Sequence, residues 1–190
     1  MNNVYQEYLN FAYKLADAAG ETSMQYFRTS LDIDNKNDDS PVTIADKNTE
    51  LKIRSLIEHE YPNHGILGEE FDSSNPDADY VWVIDPIDGT RSYIAGHKDF
   101  GNLISLTKNK KPIIGIINCP AHKERWVGVK NLNSTINQRP TKSSNVTNIE
   151  DAYLFTSGLY FDEPHLRGAV EKINNKVRYF RYGGDCYMYG

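Results

Sequence analysis

Two aspartates stand three residues apart directly after a hydrophobic segment. Residues 81–84 are apolar and partly β-branched, which predicts a buried strand, and Asp85 and Asp88 come after it. A carboxylate at the edge of a core is costly unless a cation compensates its charge. Pro86 restricts the backbone between the two aspartates, so that both can face one point. Paired oxygen ligands of this kind are typical of Mg²⁺ sites.

The residues after Asp88 add a pattern that suits a phosphate group. Gly89 lets a ligand approach the main chain closely, and the amides that follow can point at an anion if a helix begins at Thr90. Metal ligands beside an anion pocket are the arrangement used in Mg²⁺-dependent phosphate chemistry. The alternative is an ordinary polar turn, because Asp-Pro and Asp-Gly pairs are common in turns.

Acidic positions upstream favour the metal site over the turn. Residues 65–68 predict a short strand that ends in Glu69 and Glu70. We expect Glu69, which is closest to the strand end, to be a ligand, and Glu70 to open a polar loop. Asp46 stands where an amphipathic helix begins, which predicts a helix N-cap whose outer oxygen could face the same site.

These motifs resemble those of a known family. Residues 41–46 (PVTIAD), 68–70 (GEE) and 85–90 (DPIDGT), in this order and spacing, are similar to the signature of the inositol monophosphatase superfamily, a group of Mg²⁺-dependent, lithium-sensitive phosphomonoesterases. The resemblance runs from about the first helix to the last residue. Residues 181–187 (RYGGDCY) resemble the corresponding segment of the histidinol-phosphatase branch, where inositol phosphatases usually carry Gly-Ser/Thr-Ala-Ala.

The resemblance implies a set of metal ligands. Glu69 and Asp85 would bind a first ion together with the backbone carbonyl of Ile87, and Asp85 and Asp88 would bind a second. Glu69 therefore also counts among the catalytic residues, and Glu70 would be a secondary contact. The implied cofactor is Mg²⁺, as two or three ions, with Mn²⁺ as a substitute.

The resemblance also assigns the residues around the water and the substrate. Asp46 and Thr90 would orient the attacking water, and the amides of Gly89 and Thr90, beside Asp88, would hold the phosphate. Asp185 would face the alcohol part of the substrate, where its charge suits the ammonium and imidazole of histidinol. The alternative is that Asp185 caps a helix that begins near the next residue.

The implied function is hydrolysis of a small phosphate monoester by metal-activated water. Histidinol phosphate is the favoured substrate, and an inositol phosphate or a related sugar phosphate is the alternative. Family members continue past the position of Gly190 with a Trp-Asp or Tyr-Asp motif that completes the second metal site, and no acidic residue follows Asp185 here. We therefore expect a truncated chain, a missing part supplied by a partner, or a metal-binding fragment without turnover. Lys36 and Ser40 align with a mobile loop near the metal site.

Composition argues against several classes of protein. A net charge of -5 over 190 residues argues against a nucleic-acid-binding protein, which would carry a basic face. Cys119 and Cys186 are too few for a disulfide framework and predict a reducing cytoplasm. The N-terminus lacks the basic and apolar regions of a signal peptide, and no apolar run approaches the ~20 residues of a membrane helix. The resemblance is compatible with a homodimer, which the family often forms.

The patterning predicts an α/β fold, in which helices pack on a mixed, mostly antiparallel sheet as the N-terminal part of a layered α-β-α-β-α sandwich. We expect a metal- and phosphate-binding α+β domain over residues 1–145 and the first part of an incomplete C-terminal α/β domain over residues 146–190. Helices are expected before residue 20, after Asp46 and over residues 165–176. Strands are expected near residues 65–68, 81–85, 103–107, 113–118, 125–129, 152–156 and 177–181.

Overall fold

Helices and strands alternate along the computed structural model, which describes residues 5–30, 33–35, 41–158 and 164–190. The helices are α1 (Gln6–Tyr26), α2 (Ile44–Glu60), α3 (Thr90–Ile94) and α4 (Pro164–Asn174). The strands are β1 (Ile33–Asn35), β2 (Pro41–Thr43), β3 (Gly65–Leu67), β4 (Tyr80–Asp88), β5 (Gly101–Lys108), β6 (Lys111–Cys119), β7 (Glu124–Val129), β8 (Thr135–Ile136), β9 (Arg139–Pro140), β10 (Tyr153–Thr156) and β11 (Tyr179–Tyr182). Short 3₁₀ turns cover Ile149–Asp151 and Asp185–Tyr189. Lys36 and Ser40 lie outside the described residues.

A seven-stranded sheet lies at the centre, with its strands in the order β3-β4-β5-β6-β7-β8-β9. β3 pairs in parallel with β4, and each later strand pairs antiparallel with the one before it. The hairpin between β5 and β6 turns at Asn109 and Lys110, which both have positive φ. The sheet is therefore mixed and mostly antiparallel, as the sequence predicts.

The two long helices cover one face of this sheet. α1 presents small side chains, Ala12, Ala16 and Ala19, which are fully buried and let the helix lie close to the strands. Fully burying each larger apolar side chain contributes about 1.5–3 kcal/mol relative to leaving it in water. The large members of this core are Phe11, Leu15, Ile53, Ile57, Ile66, Trp82, Ile104, Leu106 and Ile114. The core fixes β4, whose last residues carry the candidate metal ligands.

The C-terminal segment forms a small second sheet and then returns to the first. β10 and β11 pair in parallel, with α4 between them in sequence. After β11, the turn Asp185–Tyr189 packs against the end of β6, where Tyr187 stacks on His122 with ring centroids 4.2 Å apart. Cys186 and Cys119 are both free and fully buried. This return places Asp185 beside the end of β4.

The predicted fold class is confirmed, and two boundaries beside the candidate metal ligands differ from the sequence expectation. β4 continues to Asp88 through a register shift, because the sheet pairing resumes beyond Asp85. α2 begins at Ile44, before Asp46, because Thr43 is extended and caps it. The predicted division near residue 145 stays a prediction. Among the described residues, no helix has the length and apolar character needed to cross a bilayer.

Candidate active site

The end of β4 is distorted where the two aspartates lie. Asp85 pairs with Leu103 and Asp88 pairs with Gly101, and the register shifts between them. The carbonyl of Pro86, inside this bulge, accepts a hydrogen bond of 2.7 Å from the Asn102 side chain. Because a bulge leaves an unpaired stretch in the ladder, this bond satisfies a buried backbone oxygen and fixes the loop.

The carboxyl group of Asp85 is buried at the end of β4. Its Oδ1 is buried and has no hydrogen-bond partner among the described residues. Burial raises the pKa of the Asp85 carboxyl to about 8, with further contributions from the carboxylates of Glu69 and Asp88. An orphaned carboxylate oxygen surrounded by like charges is satisfied by a cation, so the donor set fits a hard metal ion.

Asp88 is held by the C-terminal turn. Its Oδ1 accepts a hydrogen bond of 2.9 Å from the backbone amide of Cys186. Burial raises the pKa of the Asp88 carboxyl, the Cys186 amide opposes this, and the charge of Asp185 adds to the rise. A hydrogen bond from the side chain of Cys186 also opposes the rise in the pKa of Asp88, so the C-terminal turn contacts this acid through both its backbone and a side chain.

Glu69 and Glu70 follow β3, as the sequence predicts. Glu69 is exposed and Glu70 is half-buried. The carboxylate of Glu69 acts on Asp85 electrostatically and by a side-chain hydrogen bond, so the two strand ends meet. In the described part of the chain, no three Asp, Glu, His or Cys side chains close around one point to hold a metal unaided.

Asp46 and Thr90, which the resemblance assigns to the attacking water, lie close together. The Thr90 hydroxyl lies 3.4 Å from Asp46 Oδ1 and 3.0 Å from the carbonyl of Ile87. Asp46 is buried, which raises the pKa of its carboxyl, while hydrogen bonds from Thr43 act in the opposite direction.

The predicted N-cap role of Asp46 is wrong. Thr43 is the N-cap, and Asp46 is the third residue of α2, where it closes a capping box. Both the amide and the hydroxyl of Thr43 donate to Asp46 Oδ2, at 2.8 and 2.6 Å. One oxygen of Asp46 is therefore structural, and the other is directed to Thr90.

Gly89 is required by both its conformation and its surroundings. Its φ is 84°, in the left-handed region, and α3 begins at the next residue, Thr90. A Cβ at this position would come within 2.8 Å of the Asp99 carbonyl and 3.0 Å of the Asp185 Cβ. The space beside Gly89 is therefore filled by Asp99 and Asp185, so that only glycine fits at this position.

Asp185 does not cap the 3₁₀ turn, so the alternative interpretation of this residue is wrong. Gly184 occupies the N-cap position, and Asp185 has a positive φ of 41°. Its Oδ2 accepts a hydrogen bond of 2.5 Å from the hydroxyl of Ser92 on α3. The carboxylate is thereby fixed next to Gly89 and Asp88.

The sequence did not predict the buried polar residues that form a hydrogen-bond network next to the bulge of β4. The amide nitrogen of Asn102 lies 3.3 Å from the hydroxyl of Ser23, in addition to its bond to Pro86. Asn118 donates to Asn102 Oδ1 at 2.9 Å and accepts from Arg125 at 2.8 Å. A pair of asparagines on two adjacent strands is the only trace of this network in the sequence.

A comparison with known proteins gives the family. Residues 4–189 match the model of the inositol monophosphatase family. The chain belongs to this family. It is 42% identical over 177 residues to a relative named bifunctional phosphatase IMPL2, chloroplastic, from Arabidopsis thaliana, covering 92% of this chain and 51% of the relative. It is 36% identical over 181 residues to the histidinol-phosphatase of Chlorobaculum parvum, covering 94% of this chain and 70% of the relative.

The solved structures agree with the family and the fold. An inositol monophosphatase from Zymomonas mobilis superposes with a TM-score of 0.88 at 42% identity, covering 100% of this chain and 73% of that one. The chain therefore spans about half the length of the Arabidopsis relative and about three quarters of the Zymomonas structure.

Replacing Asp85 with Asn should stabilise the metal-free protein above neutral pH. Between pH 3.8 and about 8, the folded state keeps a proton on Asp85 that the unfolded chain releases, so wild-type stability falls as pH rises through this window. The Asn variant lacks this loss. Its free energy of unfolding in urea with a chelator should exceed that of the wild type by ~2 kcal/mol or more at pH 8, and the gain should shrink toward pH 4.

The control is Asp77→Asn, because Asp77 is exposed and pairs with Lys110 at the surface. A difference between Asp85→Asn and the wild type that stays constant from pH 4 to pH 8 would contradict the raised pKa of Asp85.

Proposed function

We propose that this protein is a Mg²⁺-dependent phosphomonoesterase that acts on a small alcohol phosphate, with histidinol phosphate as its preferred substrate. The observation that carries the proposal is the buried Oδ1 of Asp85, which has no hydrogen-bond partner in the described part of the chain and lies beside the carboxylates of Glu69 and Asp88. Membership of the inositol monophosphatase family supports it.

The proposed ligands of the metal are oxygen atoms at two strand ends. Glu69, Asp85 and Asp88 would hold two or three Mg²⁺ ions together with the carbonyl of Ile87, and Mn²⁺ would substitute. When bound, the ions neutralise the phosphate charge, lower the pKa of a coordinated water and stabilise the leaving alkoxide. The Ile87 carbonyl accepts from Thr90 and has a second lone pair for this purpose.

Asp46 and Thr90 would orient the attacking water. Thr43 occupies Asp46 Oδ2, so Oδ1 remains the acceptor on the side of Thr90. The Thr90 hydroxyl can accept a proton from the water while it donates its own to Asp46 Oδ1. Burial raises the pKa of the Asp46 carboxyl, which makes it a better proton acceptor than an exposed aspartate.

The start of α3 would hold the phosphate. The amides of Gly89 and Thr90 stand at the N-terminus of α3, where the first amides of a helix have no acceptor within it. Backbone amides are neutral groups that donate hydrogen bonds to phosphate oxygens.

Asp185 would select the alcohol part of the substrate. Its carboxylate is fixed by Ser92 and borders Gly89, so it lies beside the phosphate position. A fixed carboxylate favours a cationic alcohol, and the ammonium and imidazole of histidinol supply that charge. Relatives named histidinol-phosphatase support this choice.

An inositol phosphate, or a related sugar phosphate, is the second candidate substrate. It is supported by the 42% identity to the inositol monophosphatase of Zymomonas mobilis. A further alternative is that the chain of 190 residues binds metal without turnover.

Asp88→Asn should abolish Mg²⁺-stimulated phosphate release from L-histidinol phosphate. The amide oxygen can still accept from Cys186, so the turn should stay in place while a metal ligand loses its charge. We expect a loss of roughly 100-fold or more in kcat/KM, since even partners outside the ligand shell cost 10–100-fold. Colorimetric detection of released phosphate measures this. Asp77→Asn should keep wild-type activity, and equal activity in Asp88→Asn would remove Asp88 from the site.

Asp185→Asn should change substrate preference rather than overall activity. Loss of a charged hydrogen-bond acceptor should lower kcat/KM for histidinol phosphate by about 10-fold, and should leave kcat/KM for inositol 1-phosphate within about two-fold. The ratio of the two constants is the readout. An equal fall for both substrates would contradict a role of Asp185 in recognising the alcohol.

A further inference from the structure

Glu50 is a buried carboxylate on α2 that the proposed chemistry does not use. Its side chain is 0% exposed, and Arg54, one turn later on the helix, pairs with Oε1 at 2.8 Å. Removing a carboxylate from water costs several kcal/mol even after relaxation, so its remaining hydrogen bonds must be well made. The second oxygen of Glu50 faces the loop that follows β3.

That oxygen holds the loop that carries Glu69. Glu50 Oε2 accepts hydrogen bonds from the backbone amides of Glu69 at 2.9 Å and Glu70 at 2.8 Å. Amide bonds to a charged acceptor are about twice as strong as neutral ones. Gly68 makes the contact possible, because a Cβ there would lie 1.9 Å from Glu50 Oε1.

Arg54 fixes the same loop one residue further on. Its Nη2 donates to the carbonyl of Phe71 at 3.0 Å, and its guanidinium lies 5.9 Å from the centre of the Phe71 ring. The backbone of residues 69–71 is therefore attached to α2 at three atoms, while the side chain of Glu69 stays exposed.

We infer that the buried pair of Glu50 and Arg54 is a positioning device that presents Glu69 to the metal site. A loop already ordered in the metal-free protein loses less conformational entropy when its carboxylate binds an ion. The inference rests on the proposed function for the ligand of Glu69, whereas the attachment of the loop to α2 can be tested without any metal.

Glu50→Gln is the variant that tests it. Glutamine keeps the shape, but its amide group must face either Arg54 or the two loop amides with a donor, so one set of bonds is lost. In the metal-free protein, hydrogen exchange at the amides of Glu69 and Glu70 should become about 10-fold faster. The affinity for Mn²⁺, measured by calorimetry, should fall by about 10–100-fold, and high Mg²⁺ should restore phosphate release.

Thr49→Val is the matched control. Thr49 is the preceding residue on α2, it is fully buried, and its hydroxyl has no partner among the described residues. The change should leave exchange at Glu69 and Glu70, and the affinity for Mn²⁺, as in the wild type. Gly68→Ala is a second variant, since its methyl group would lie 1.9 Å from Glu50 Oε1 and 2.8 Å from Arg54 Nη2 and would push the loop and the buried pair apart. It should reproduce both effects of Glu50→Gln if that variant does not fold.

Three outcomes separate this inference from the proposed function. Unchanged exchange at Glu69 and Glu70 in both variants would overturn the attachment of the loop. Faster exchange with unchanged Mn²⁺ affinity in a wild type that binds Mn²⁺ would overturn the role of the pair in presenting Glu69. Absence of Mn²⁺ binding by the wild type would instead contradict the proposed function, and the exchange result would still decide whether Glu50 orders the loop.

Discussion

The carboxylate of Asp85 is held at the end of a buried strand, where one of its oxygens lacks any partner among the described residues and where Glu69 and Asp88 add like charge. It cannot move away, because β4 is paired with β5 up to this point and its preceding residues are packed in the core. Such a group is stable only when it is protonated or beside a cation. The buried carboxylate of Asp85 therefore lowers the stability of the metal-free protein, and a bound metal ion would remove this destabilisation.

The surrounding structure fixes one oxygen of each of two acids. Asp88 Oδ1 accepts from the amide of Cys186, and Asp46 Oδ2 accepts from Thr43, so that Asp46 Oδ1 is directed to Thr90. Backbone groups are treated in the same way, since Asn102 holds the carbonyl of Pro86 and Glu50 holds the amide of Glu69. The positions of the site residues are therefore set by hydrogen bonds from residues that lie outside the proposed metal and phosphate positions.

Local pattern was enough to predict the strand that leads into Asp85 and the hairpin between β5 and β6, because each depends on neighbours in sequence. The sequence predicts Asp46 as the N-cap of α2, whereas Thr43 occupies that position in an extended conformation. The backbone conformation distinguishes these two residues, and the sequence pattern does not show it. The supporting residues could not be found in this way. Glu50 binds an amide 19 residues away and Ser92 binds a carboxylate 93 residues away, and such pairings are created by the fold.

The most direct test is a calorimetric titration of the protein with Mg²⁺ at pH 7 in two buffers of different ionisation enthalpy. With a pKa of about 8, Asp85 is mostly protonated in the metal-free protein at this pH, and it must lose its proton to bind an ion. The account predicts saturable binding with release of nearly one proton in the wild type and little release in Asp85→Asn. Absence of saturable binding, or binding with a heat that does not depend on the buffer, would contradict it.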